Sequence, residues 1–235
     1  MADDISLFAG AAWFLVFLFS TTVHEAGHAF VALRLGDDTA ARGGQVSLDP
    51  FPHIQREPIG MVVIPILSYI FGGWMMGWAS APYDPIWARR YPKRAGLMAL
   101  AGPLANLLQM LLAILVMRIC MRTGFFVPAD RINFMEVVEA TSSGYPHVCA
   151  VLVSLFFSMN LLLFVFNLIP VAPLDGGSLP LLFLSDAKAD KYWEFVSAPG
   201  FTFVGIFIAW ELSKVIIPPA FNIALRLLFA GTGVF

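Results

Sequence analysis

The chain has 235 residues, of which 59% are hydrophobic and 13% charged, with a formal net charge of −2 and a mean hydropathy of +0.78. Soluble domains carry about 25% charged residues, so this composition excludes a water-soluble globule, and the excess of apolar residues excludes a disordered chain. Lys+Arg at 14 against Asp+Glu at 16 leaves no basic excess for nucleic acid, and two cysteines, Cys120 and Cys149, form neither a disulfide framework nor a thiolate metal cluster.

What remains is an all-α polytopic membrane protein built as a single domain over residues 1–235, with five to six hydrophobic segments. Each span needs about 20 residues to cross the hydrocarbon. Gaps in Asp, Glu, Lys and Arg define the runs Ile5–Val23, Pro58–Tyr83, Ala95–Met117, Ala140–Leu174 and Phe195–Trp210. A weaker apolar stretch, Val215–Leu225, continues past Arg226, so 195–235 is expected to hold C-terminal helices. The acidic Asp3 and Asp4 before the first run argue against a secretory signal.

Basic residues near helix ends set orientation. The densest cluster, Arg89, Arg90, Lys93 and Arg94, belongs in the cytoplasm, and the first helix then runs from outside to inside. A crossing by Pro58–Tyr83 would carry that cluster outside. Pro65, Gly72, Gly73 and Gly77 interrupt this run, and broken backbone at membrane depth is tolerated where protein or water surrounds it. The region is read as re-entrant, the alternative being a further ordinary span. Between the first two runs, Gly43 and Gly44 followed by Gln45-Val46-Ser47-Leu48 predict a turn into a short membrane-associated strand that ends at Pro50 and Pro52. The β and re-entrant region thus covers 36–83.

His24-Glu25-Ala26-Gly27-His28 places H-E-x-x-H within the first helix. Positions i and i+4 share a helix face, so both imidazoles can reach one metal, and Glu25 stands one step round, beside the water such a metal would activate. Three ionisable groups in five residues of a membrane helix need a cavity or a partner. A catalytic zinc takes three protein ligands. The metzincin continuation fails because Val31 stands where a glycine is required. Asp37, Asp38 and Glu57 lie in a polar loop and read as solvated charge. Asp175 follows a long uncharged stretch and precedes Gly176 and Gly177, which permit a sharp turn. It is either a turn or cap aspartate or the third ligand, brought from another helix.

HEAGH, together with Asn167-Leu168-Ile169-Pro170-Val171-Ala172-Pro173-Leu174-Asp175-Gly176-Gly177, resembles the site-2 protease family of intramembrane zinc metalloproteases. Ala101-Gly102-Pro103-Leu104-Ala105-Asn106 resembles the family's G-P-x-x-N segment, and the resemblance covers about residues 20–180, the core of the expected domain. Ala172 departs from the family's second proline. Arg118–Pro146 is too short for the family's PDZ insertion, and no regulatory domain follows Gly177, so a minimal member is expected.

The resemblance implies one Zn2+ per chain, bound by His24, His28 and Asp175, with Glu25 as the base. It implies that Asn106, in the helix over 95–117, and Asn167, in the helix over 146–170, line the cleft and hydrogen-bond substrate or transition-state oxygen. Such amides can equally join helices to one another. A membrane-spanning protein, cut within or near its transmembrane segment, is the implied substrate. The implied location is the cell membrane, multi-pass, with the site toward the cytoplasmic side; His24 lies about 28 Å along its helix, near the inner interface.

Other residues read as ordinary. His53 sits at an interface, His147 starts a helix beside Pro146 and lacks a nearby acid at ligand spacing, Trp74, Trp78 and Trp87 fit an aromatic belt, and Lys188, Asp190, Lys191 and Glu194 form a solvated loop. Two rival functions use the same residues. A metal transporter or store has little use for Glu25, and an inactive homologue that only binds membrane proteins should lack a ligand or the base.

Overall fold

A computed structural model describes residues 7–232. Asp3, Asp4 and the end of the last apolar run at Phe235 lie outside the described residues. Four helices are long and apolar enough to cross a membrane: α1 (Leu7–Leu35), α6 (Pro92–Arg122), α7 (Tyr145–Asn167) and α9 (Phe201–Leu228). α1 alone has 29 residues, about 43 Å of helix, so its second half reaches well beyond the bilayer centre. Short helices α2 (Thr39–Arg42), α3 (Pro50–Arg56), α4 (Ile64–Gly72), α5 (Pro85–Arg90) and α8 (Asp186–Val196) connect these four.

α1, α6 and α7 pack against one another, and α9 leans on α7 and α6. Small side chains set the spacing. A Cβ on Gly27 of α1 would stand 3.1 Å from Ala101 O and 3.3 Å from Ala105 Cβ of α6, the kind of close approach that membrane helices use when lipid offers no hydrophobic drive to associate. Outward-facing side chains such as Leu108, Leu112 and Leu115 of α6 and Phe203 and Phe207 of α9 are exposed, as a lipid-facing surface requires.

The second apolar run does not form a straight span. The α3 segment and the helical stretch Ile59–Gly72, which begins as a π-helical turn at Ile59–Val63, meet at 111°. α4 then stops at Gly73, whose φ of 72° suits glycine, and residues 74–84 continue without regular structure. The stop at Gly73 is a break that the glycines of the run predict, whereas the 111° bend falls before them, between Arg56 and Ile59. The last two runs, by contrast, join into the single helix α9, with Pro218 and Pro219 inside it, so the described residues hold four spans, or five if the bent pair counts as one.

The expected strand at Gln45–Leu48 is corrected. These residues form bends, not a strand, because their polar groups serve neighbouring turns: Ser47 Oγ accepts from Asp49 N, and Ser47 O lies 3.1 Å from His53 Nε2. The β element lies elsewhere, in the polar stretch between α6 and α7. There β1 (Phe126–Pro128) pairs antiparallel with β2 (Val138–Ala140), and Val137 N and Val138 N both donate to Ser154 Oγ of α7.

Candidate metal centre

His24, Glu25 and His28 lie on the inner face of α1 and are buried, at 5%, 6% and 6% exposure. The two imidazoles meet edge to face, with Nε2 atoms 3.0 Å apart. Facing them on α6 is Gly102, where a Cβ would overlap both Nε2 atoms. Glycine at this position is what leaves room for two rings between α1 and α6.

Asp175 arrives from the far side of α7. It opens a 3-10 helix (Asp175–Leu182) that packs against α6. Its Oδ2 stands 3.1 Å from His24 Nε2 and its Oδ1 3.3 Å from His28 Nε2. The two glycines after it are required for a reason other than a sharp turn, since neither has a positive φ. A Cβ on Gly176 would overlap the carbonyl of Ile169, and one on Gly177 would stand 2.5 Å from Ala172 N, so both permit the loop 168–174 to fold down against the 3-10 helix.

Do these groups fit a metal ion? His28 Nδ1 lies 2.7 Å from Met98 O, a carbonyl that only accepts, so Nδ1 carries the proton and the lone pair of Nε2 is bare. That lone pair faces His24 Nε2 and two carboxylate oxygens, and Asp175 Oδ2 is fully enclosed without a hydrogen-bond donor. Acceptors crowded together at 3.0–3.3 Å repel one another unless a cation joins them. Two ligands of a tetrahedral zinc, each at about 2.0–2.1 Å, are about 3.3 Å apart. The donor set and its spacing fit one zinc ion.

A cavity of about 210 Å³ opens beside the cluster, lined by Glu25, His28, Met98, Ala99, Asp175 and the segment Ala79–Ala81. That volume admits several waters at about 30 Å³ each. Glu25 makes no hydrogen bond or ion pair with another described residue, although its carboxylate lies within 4.8 Å of the imidazole nitrogens. The Glu25 carboxylate is thus buried, without a side-chain partner, beside a space that admits water. Segment 79–84 is held in place by the loop once expected to be a strand: Gln45 Nε2 donates to Ser80 O at 3.2 Å, Ser80 Oγ donates to Glu57 Oε1 at 2.5 Å, and Asp84 N donates to Asp37 Oδ2 at 2.9 Å. Asp37 and Glu57, expected to be free surface charges, are therefore buttresses.

Asn106 and Asn167 do not line this cavity. Asn106 is fully enclosed behind His24, with its Oδ1 2.5 Å from His24 Nδ1 and its Nδ2 donating to Asn160 Oδ1 at 2.8 Å and Ser20 O at 3.4 Å. Asn167 Nδ2 donates to Leu163 O, one turn back in its own helix. Sequence reasoning missed Asn160 and Ser20, both at 0% exposure. Their signal was available: a second amide inside the uncharged run that holds Asn167, and a serine one turn before the first histidine. It also missed α8. The stretch read as a solvated loop is a helix whose Tyr192 Oη donates to Gly177 O and whose Trp193 lines the cavity, while its charged residues stay exposed. Two of the three tryptophans assigned to a belt are packed inside: Trp87 is 6% exposed and Trp74 lies against Trp13 and Phe134. His53 is also buried, at 1% exposure.

Two imidazoles and a carboxylate converge at one point, with a further carboxylate beside them, inside a bundle of apolar helices, the donor set that a metallopeptidase centre uses. The chain belongs to peptidase family M50, that of the site-2 proteases, whose profile matches residues 12–210. Among curated proteins it is 32% identical over 164 residues to the "Putative zinc metalloprotease YwhC" of Bacillus subtilis, covering 69% of this chain and 64% of that one. It is also 32% identical over 160 residues to the "Putative zinc metalloprotease Rip2" of Mycobacterium tuberculosis, covering 68% and 52%. The Rip2 of Mycolicibacterium smegmatis is 28% identical over 159 residues. The matched region thus spans about half to two thirds of these relatives' length. No solved structure matches the chain. Zinc is the metal that the family and the relatives' names imply for this cluster.

Proposed function

We propose that the protein is an intramembrane zinc metalloprotease that hydrolyses a peptide bond within or near the transmembrane segment of a membrane protein. The observation that carries this reading is the unpaired Glu25 carboxylate beside the His24, His28 and Asp175 cluster. A metal carrier needs the three ligands and has no use for the fourth group.

In the mechanism, His24, His28 and Asp175 hold the metal, which when bound supplies a Lewis acid that polarises the scissile carbonyl and acidifies water. Glu25 takes a proton from the attacking water and delivers it to the departing amine. The cavity confines the reaction to a few waters. A helical substrate must first unwind, because its own hydrogen bonds shield its carbonyls. Ala79 and Ala81 line the cavity, and their backbone makes no hydrogen bond with a described residue, so it is free to pair with the unwound segment.

The site faces the cytoplasm in this reading. Arg34, Arg42, Arg89, Arg90, Lys93 and Arg94 all lie at the end of the bundle where α1 finishes and α6 begins, close to the metal centre, and such residues favour the cytoplasmic side. The deciding experiment uses the purified full chain, with and without chelator, scored for zinc content and for cutting single-span peptides. Zinc uptake with no cutting of any peptide, or cutting that survives chelation, would refute it.

A further inference from the structure

The metal centre is backed by a closed circuit of buried polar groups from three helices. Ser20 and His24 belong to α1, Asn106 to α6 and Asn160 to α7. Ser20, Asn106 and Asn160 are wholly enclosed. Asn160 Nδ2 donates to Phe156 O at 2.8 Å and to Ser20 Oγ at 3.0 Å, and Asn160 Oδ1 accepts from Asn106 Nδ2 at 2.8 Å. Asn106 Oδ1 then meets His24 Nδ1.

The two histidines are oriented by different means. A backbone carbonyl, Met98 O, meets His28 Nδ1 directly and admits only a donor. His24 Nδ1 meets a side-chain amide, which could present either oxygen or nitrogen if it were free to flip. It is not free. Phe156 O only accepts, so the amide nitrogen of Asn160 must face it and the oxygen of Asn160 must face Asn106. That oxygen, at 2.8 Å, demands the Asn106 nitrogen, as Ser20 O does more weakly at 3.4 Å, which leaves the Asn106 oxygen toward His24. Flipping either amide would set oxygen against oxygen among fully enclosed groups.

We infer that Asn160 is a positioning residue for the metal centre: through Asn106 it relays the polarity of Phe156 O to His24, fixing the proton on Nδ1 and turning the bare Nε2 toward the metal. Asn160 does not touch the metal's own ligands, and its effect passes entirely through Asn106. The inference rests on the metal-centre reading above, and its test separates the two.

Zinc affinity is measured by chelator competition on the full chain in detergent. Uptake of one zinc by the unaltered protein supports the metal centre itself, and no uptake refutes that reading. Asn160→Leu is expected to weaken zinc about 10–100-fold, the usual cost of losing a group that orients a ligand. The double variant Asn106→Leu/Asn160→Leu is expected to bind no more weakly than Asn106→Leu alone, because the second group acts through the first. Losses that add independently would overturn the relay and leave Asn160 as helix packing, as would unchanged affinity in Asn160→Leu. If the leucine variant does not fold, 15N-histidine spectra of the unaltered full chain after chelation decide the matter, with His24 assigned by its loss in His24→Leu. A proton on His24 Nδ1 is expected, and a proton on Nε2 overturns the relay.

Discussion

His24 Nε2 and Asp175 Oδ2 stand 3.1 Å apart, although one belongs to α1 and the other to the 3-10 helix beyond α7. The loop 168–174 and the two glycines after Asp175 bring the carboxylate back to α6, and His28 closes the set at 3.3 Å. Most of the expectations below follow from that meeting.

Replacing Asp175 by alanine leaves two imidazoles without the anion that completes the ligand set. Zinc affinity is expected to fall by more than about 100-fold, beyond what loss of an orienting group costs, and peptide cutting with it. Metal content after dialysis measures the first and a single-span peptide assay the second. Retained stoichiometric zinc would assign the third ligand elsewhere.

Glu25→Gln keeps the shape of the side chain and removes its basicity. Cutting is expected to slow by about 10²–10⁴-fold, while zinc content stays at one per chain. Parallel loss of zinc would make Glu25 a ligand and not a base.

Gly102→Ala tests the space between α1 and α6. Alanine favours a helix interior by about 1 kcal/mol over glycine, so propensity alone predicts a more stable protein. The added Cβ would overlap both imidazole Nε2 atoms, so zinc binding and cutting are expected to be lost. Gly96→Ala, whose Cβ meets chiefly the movable side chain of Leu182 at 2.9 Å, is expected to keep zinc.

Asn167→Ala discriminates between two uses of an amide. A donor to the transition-state oxygen is worth about 10²–10³-fold in rate, whereas the bond from Asn167 to Leu163 O serves only its own helix. A change below about 10-fold in turnover is expected. A loss in the higher range would place Asn167 on the substrate.

Much of the site was legible because it is written locally. The i, i+4 spacing of His24 and His28 fixes their shared face once α1 is a helix, and the apolar runs around them require one. Asp175 stood out as the first charge after a long uncharged stretch, followed by two glycines. Of the breaks expected at Pro65, Gly72, Gly73 and Gly77, Gly73 ends α4 while Pro65 sits within its first turn, and the 111° bend lies earlier, between Arg56 and Ile59. The polar loop 36–57 misled because alternation in Gln45–Leu48 is a weak signal without a partner strand, and Gln45, Asp37 and Glu57 have their partners in residues 80–84, far along the chain.

The sequence by itself determined the membrane class, the helical face that carries two imidazoles and the carboxylate beside them, since composition and helical periodicity act over single turns or over the whole chain. Only the tertiary structure decided that Asn106 stands behind His24 instead of in the cavity, that Asn160 and Ser20 complete its circuit, that α8 walls the opening, and that residues 79–81 line the cavity beside Glu25 and His28. Each of these depends on which distant groups share one enclosed space, where every donor must find an acceptor, and no local pattern encodes that pairing.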